Sequence, residues 1–256
     1  MNYIILAAGV GTRLHPLTNE SPKCLYKLDD IMTILERTVS MINNNDCNGR
    51  IIIVTGFFEE KIREKTKHLK NVKYIYNPFY KVTNSIASLW FARQYLTGDV
   101  TILNADIVFD KRLCEEIIIR KFEGAFVLVD SSIKTDGDYN VQIHDDAVTV
   151  MSKDLKEYYA EYAGITKLDS CSSKLLLDEV NSMVNKGYYD QWYENALVQM
   201  IFMHNFKLKY FDVCDYHWTE VDNVDDLLNA KQIHLTKLLL GTSKGSFLIK
   251  LTSKII

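Results

Sequence analysis

Two glycines one apart, an arginine, two prolines and a lysine follow an apolar run in IILAAGVGTRLHPLTNESPKCL, residues 4–25. Small residues leave backbone amides free to face an anion, and Arg13 and Lys23 add positive charge, so the chemistry suggested is phosphate binding. Three devices use such loops. A P-loop needs G-x-x-x-x-G-K-[ST], which this stretch does not supply. The dinucleotide fingerprint G-x-G-x-x-G finds Gly9 and Gly11 after the run, with Asp29 or Asp30 about 20 residues on, but Leu14 holds the third glycine position. Pro16 also pushes His15 out of the helical region and Pro22 interrupts again, so the helix that should meet a pyrophosphate cannot propagate. What remains is an extended loop whose amides wrap a polyphosphate. Its plain rival is a glycine turn with two solvated cations.

Carboxylates stand in two further places. Asp106 closes LNAD at the C-terminal end of an apolar run, the edge at which open α/β sheets bind ligands. In WTEVDNVDDL, Glu220 and Asp222 are two apart and so share one face of a short strand. Each has a structural rival: Asp106 could serve a turn or a helix cap, and Asp222 could cap the last helix, a position aspartate favours.

These groups must be positioned by the elements between them. Residues 3–8 (YIILAA), 50–55 (RIIIVT), 72–76, 100–104 (VTILN) and 125–130 (AFVLVD) read as strands, the apolar ones buried on both faces. Helical patterns alternate with them at 32–44, 57–68, 84–96 and 112–121, the first opened by a Thr33/Glu36 capping box. The alternation predicts an α/β fold, a mostly parallel sheet wrapped on both faces. The rhythm then changes. Residues 139–144 and 147–151 form a hairpin across Asp145-Asp146, 162–168 and 208–213 are extended, and 171–186 and 190–205 are helical. A short strand at 218–221 precedes a last helix over 225–240, opened near Asn223. No Pro/Gly-rich linker divides the chain, so residues 1–240 read as one domain. Residues 241–256 (GTSKGSFLIKLTSKII) suggest no element.

The 256 residues are 47% hydrophobic and 25% charged, an ordinary globular balance. A net charge of −3 supplies no global basic field for nucleic acid or an anionic membrane, so any phosphate must be held locally. Five scattered cysteines without a C-x-x-C pair read as reduced thiols in a cytoplasmic protein. No basic leader opens the sequence, and no stretch approaches the roughly 18 apolar residues of a membrane span.

The pattern L-A-A-G-x-G-T-R-L-x-P-L-T-x-x-x-P-K-C-L, matched by Leu6, Ala7, Ala8, Gly9, Gly11, Thr12, Arg13, Leu14, Pro16, Leu17, Thr18, Pro22, Lys23, Cys24 and Leu25, resembles the signature of nucleotidyltransferases that make NDP-sugars and CDP-alcohols. The resemblance implies a Rossmann-like, doubly wound, mixed sheet with a small hairpin and helical acceptor-binding insertion, about residues 131–218. It implies transfer of a nucleoside monophosphate from an NTP to a phosphate or phosphonate. Arg13 would stabilise the β- and γ-phosphates and Lys23 the α-phosphorus, with Leu6 through Gly9, Gly11 and Thr12 cradling the nucleotide. Asp106, Asp222 and Glu220 would hold Mg²⁺, Asp106 also standing beside the nucleotide.

The stretch NPFYKVTNSIASLW, residues 77–90, resembles cytidylyltransferases for phosphocholine and aminoalkylphosphonates, which implies CTP as donor and Asn84, Ser85 and Ser88 as nucleotide contacts. Helix capping by Asn84 is the rival. YYDQWYEN, residues 188–195, resembles an aromatic and acidic segment of the phosphocholine enzymes, in which rings and carboxylates surround a cationic head group. Asp190, Trp192, Tyr193 and Glu194 would form that pocket, with Tyr158, Tyr159 or Trp218 closing it; ordinary packing of the aromatics is the rival. Phosphocholine, 2-aminoethylphosphonate and an amino-acid phosphate such as phosphoglutamine all fit as acceptors, for surface polysaccharide or lipid decoration. Two other readings are a sugar-1-phosphate nucleotidyltransferase and a nucleotide-binding regulator without catalysis. No nucleic-acid partner or membrane insertion is expected; a homodimer is left open.

Overall fold

The computed structural model describes residues 1–11, 20–132 and 139–240. Thr12 and Arg13, residues 133–138 of the presumed insertion and the tail at 241–256 lie outside them. In chain order the elements are β1 (Asn2–Ala7), α1 (Ile34–Asn45), β2 (Arg50–Thr55), α2 (Glu59–Thr66), β3 (Val72–Tyr76), α3 (Ser85–Phe91), β4 (Val100–Asn104) and β5 (Ile107–Phe109). A short helical turn α4 (Lys111–Leu113) runs into a π-helical turn, Cys114–Ile118, then β6 (Ala125–Asp130), β7 (Asn140–His144), β8 (Ala147–Ser152) and β9 (Ala160–Leu168). The chain closes with α5 (Ser170–Asn185), α6 (Glu194–His204), β10 (Leu208–Asp212), β11 (Trp218–Glu220) and α7 (Val224–Leu240).

The main sheet runs β10-β6-β9-β4-β1-β2-β3, with the β7–β8 hairpin attached through β9. Pairs β1–β2, β1–β4, β2–β3 and β6–β10 are parallel. Only β9 runs against its neighbours on this path, pairing antiparallel with both β4 and β6. The reversal is made in the β7–β8 hairpin: β7 runs in the sense of β6, and β8 and β9 run against it. The mixed, mostly parallel sheet expected from the alternation is thus present.

Side-chain alternation sends each strand's residues to two cores. In β1, Ile4 joins the cluster beneath α3, α5 and α6, whereas Tyr3, Ile5 and Ala7 join the one beneath α1 and α2. The expected capping box is made: Glu36 N donates to Thr33 Oγ1 (3.3 Å) and Thr33 N to Glu36 Oε2 (3.0 Å). The hairpin turn is also as expected, Asp145 and Asp146 both taking the left-handed conformation that suits a two-residue loop.

Four features differ from expectation, the first being the 112–121 helix, which is a three-residue turn continued by a π-helical turn that ends at Ile118. The 84–96 helix ends at Phe91 and restarts as a separate 3-10 turn, Arg93–Tyr95. The 190–205 helix begins only at Glu194, because residues 189–191 are hydrogen-bonded to α3 instead: Asn84 N and Ile86 N donate to the carbonyls of Tyr189 and Gln191. Finally, β5 was not foreseen; it is three residues long and pairs antiparallel with β11 as a separate two-stranded sheet. Both pack with α7 around Val108, Val221, Ala230 and Ile233.

Candidate functional site

β1 delivers Leu6, Ala8, Gly9 and Gly11 to the rim of a cleft of about 450 Å³ at the C-terminal ends of β1 and β4. Ala7, by contrast, packs in the core. Gly56 lets the neighbouring segment close on this rim, since a Cβ there would lie 2.7 Å from Tyr80 Cβ and 2.8 Å from the Ala8 carbonyl oxygen.

Lys23 opens a 3-10 turn, Lys23–Leu25, preceded by Pro22 at φ −67°. Cys24 and Leu25 anchor the turn in the core while Lys23 lines the cleft. Burial pushes the Cys24 thiol up to about 12, the Asp106 charge adding to the effect, so Cys24 stays protonated. The Lys23 ammonium lies 2.6 Å from Asp106 Oδ2 and 2.5 Å from Asp222 Oδ1. Burial alone would lower its pKa, but Asp106, Asp222 and Glu220 raise it above the ordinary lysine value. The carboxylates thus favour the charged form of Lys23.

Asp106 follows β4 in the turn to β5, and its backbone carbonyl accepts from Val221 N (3.1 Å). Register places Glu220 opposite Ile107. This ladder brings together carboxylates that are remote in sequence: oxygens of Asp106, Glu220 and Asp222 lie within 4.8 Å of one another. α7 is capped by Asn223, whose Oδ1 accepts from Asp226 N while Asp226 Oδ2 accepts from Asp222 N and Asn223 N. Asp106 Oδ1 is buried without a hydrogen-bond partner among the described residues. A buried carboxylate oxygen left over in a set of three oxygen donors suits a hard divalent cation, so these residues fit Mg²⁺.

Asn84, Ser85 and Ser88 also line the cleft. Asn84 caps α3, its Oδ1 accepting from Ser85 N (2.8 Å), so the capping role and the cleft position coincide. Ser85 Oγ accepts from Tyr193 N (2.8 Å), and Ser88 Oγ accepts from Asn77 Nδ2 (3.0 Å).

The expected aromatic and acidic cage is not assembled. Trp192 alone of that group lines the cleft. Tyr193 is fully buried, its hydroxyl bonded to those of Tyr162 and Thr166. Glu194 is also buried, and loss of solvent pushes its carboxyl up to about 8, so it is mostly neutral at pH 7. Asp190 is exposed and accepts from Gln191 Nε2. Tyr158 is half-buried outside the cleft, Tyr159 packs its ring near Tyr210, and the Trp218 indole donates to Asp130 Oδ2 (2.7 Å) at the start of β11. The cause is local. These residues lead into α6, whose inward side fills the core, so consecutive side chains diverge instead of converging.

Sequence reasoning missed Lys153, Asn104, Tyr80 and Thr83, which line the cleft as well. Asn104 had a signal, standing two residues before Asp106. Lys153 had none: it follows β8, and its ammonium lies 4.1 Å from the Trp192 ring centroid. Gly164 at φ +68° admits Asn104 to this region, because a Cβ there would collide with Ile107 and lie 3.1 Å from Asn104 Nδ2.

Residues 2–135 match the family model described as nucleotidyl transferase. A bifunctional IPC transferase and DIPP synthase of Aquifex aeolicus is 24% identical over 98% of this chain, which spans only 56% of that relative's length. A CTP:phosphoglutamine cytidylyltransferase of Campylobacter jejuni is 26% identical, with 89% of this chain and 98% of the relative covered. The solved structure of the CTP:phosphocholine cytidylyltransferase of Streptococcus pneumoniae superposes with a TM-score of 0.74 at 19% identity, covering 91% of this chain and 98% of that one, and so shares the fold. No helix among the described residues is long and apolar enough to cross a membrane.

Proposed function

The chain belongs to the nucleotidyl transferase family, and on that premise we propose that it transfers CMP from CTP to a small, amine-bearing phosphate or phosphonate. The observation that carries this reading is the meeting of Lys23 with Asp106, Glu220 and Asp222 beside Asn84, Ser85 and Ser88 in one cleft. An acceptor oxygen attacks the α-phosphorus, the α–β anhydride bond breaks and pyrophosphate leaves. Lys23 meets the charge that builds on the transferred group, and Arg13 that of the departing phosphates. Asp106, Asp222 and Glu220 would hold Mg²⁺, which when bound neutralises phosphate charge. Asn84, Ser85 and Ser88 orient the nucleotide, while Trp192 and Lys153 face the acceptor, Lys153 as a cation for its phosphate.

The phosphoglutamine relative, aligned over nearly the whole of both chains, supports an amino-acid phosphate as acceptor; phosphocholine and 2-aminoethylphosphonate belong to the same class. The enzyme would work in the cytoplasm, upstream of surface polysaccharide or lipid decoration. Pyrophosphate release from each NTP with Mg²⁺, against a panel of phosphorylated acceptors, tests the reading. Release is expected with CTP and an amine-bearing acceptor. Release only with hexose-1-phosphates makes the chain a sugar-1-phosphate nucleotidyltransferase, and silence across a wide panel favours a nucleotide-binding regulator.

A further inference from the structure

We infer that Lys23 holds the place of the divalent cation in the nucleotide-free protein, so that metal binds only as the lysine leaves. The inference rests on reading Asp106, Glu220 and Asp222 as the metal site. Lys23 Nζ is within hydrogen-bond distance of one oxygen from each of two of these carboxylates, 2.6 Å from Asp106 and 2.5 Å from Asp222. Magnesium takes carboxylate oxygens at about 2.1 Å, so an ion sharing either oxygen with Lys23 would stand within about 5 Å of the ammonium. Like charges at that separation repel strongly where water is scarce, and here the lysine and aspartate side chains are only 16%, 13% and 20% exposed.

The same contacts say what must happen to Lys23. Moved without compensation, it would leave a buried cation unpaired, which is costly. A nucleotide phosphate provides the compensation, since it offers Lys23 anionic oxygens in the same cleft. Lys23 then trades its carboxylates for the phosphate, and the carboxylates trade Lys23 for the metal. Lys23 is therefore a gate on metal entry as well as a transition-state cation. The metal should arrive with the nucleotide and not before it.

The test titrates the full chain with Mn²⁺ alone, without nucleotide, following free Mn²⁺ by electron paramagnetic resonance. The wild type should bind weakly. Lys23→Gln, which removes the resident cation, should bind Mn²⁺ about tenfold tighter or better. Lys23→Arg, which keeps a cation, should bind as weakly as the wild type. Adding Asp222→Asn to the Gln variant should abolish the gain. Thermal melting verifies that each variant is folded, and Lys23→Met replaces the Gln variant if that one is not. A wild type that binds Mn²⁺ alone as tightly as Lys23→Gln overturns the inference, and so does a gain that survives Asp222→Asn. The titration needs no turnover, so a silent acceptor panel removes the transfer reading while leaving this result interpretable.

Discussion

Lys23 and Lys153 line the same cleft under different constraints. Lys23 sits on a turn whose next two residues are core, between two carboxylates, with 16% of its side chain exposed. Lys153 follows a hairpin strand, is exposed, and lies over the Trp192 ring. The first is held by charges fixed at strand ends, and the second makes, among its contacts, a cation–π contact of a kind worth about 0.5–1 kcal/mol at an exposed site. A catalytic cation must be in place before charge develops, whereas a group that meets varied acceptors gains from moving. In the proposed reading the buried, doubly paired cation serves the transfer step and the exposed one meets the acceptor.

Removing Lys23 should have the largest effect. In Lys23→Ala, kcat should fall by about a hundredfold to a thousandfold while the KM for CTP changes far less. Steady-state pyrophosphate release measures both, and an unchanged kcat would equate Lys23 with Lys153 and erase the contrast. Trp192→Ala should raise the acceptor KM by about tenfold and leave that for CTP alone. A rise confined to CTP would reverse the two ends of the cleft.

The smallest effect sharpens the picture of the acceptor side. Glu194 is buried, and its charge acts on the Tyr139, Tyr162 and Tyr193 hydroxyls while the Lys153 charge acts on it. Its carboxyl is raised from 4.5 to about 8, so above pH 4.5 the unfolded chain releases this proton while the folded one keeps it. The contribution is whole below about 4.5 and is lost as pH rises through 8. Glu194→Gln, neutral at every pH, should flatten that part of the stability profile in denaturant titrations. A parallel profile would show that Glu194 is charged, and hence closer to solvent than the core position described.

The two ends also differed in how legible they were. Asp106 could be read from its place after a strand end, whereas the shared strand face read for Glu220 and Asp222 is not formed: β11 ends at Glu220, and Asp222 lies just beyond it. Lys23 could be read from its loop. The aromatic segment could not, because Trp192, Tyr193 and Glu194 are consecutive and precede a helix, where neighbouring side chains part company. Composition there is the same for a pocket as for a core. The reversed direction of β9 was equally hidden: a strand buried on both faces carries no alternation, and nothing in its residues records the sense in which it runs.

The ladder between β5 and β11 has a consequence for the order of events during synthesis. The chain has supplied every strand of the main sheet by Asp212. Glu220 and Asp222 come later, on a three-residue strand that joins a separate small sheet. A nascent chain can therefore possess its architecture before it possesses its chemistry. Until residues 218–222 emerge and dock, Asp106 and Lys23 face each other without their partners. The segment that completes the acidic cluster is made after every strand of the main sheet.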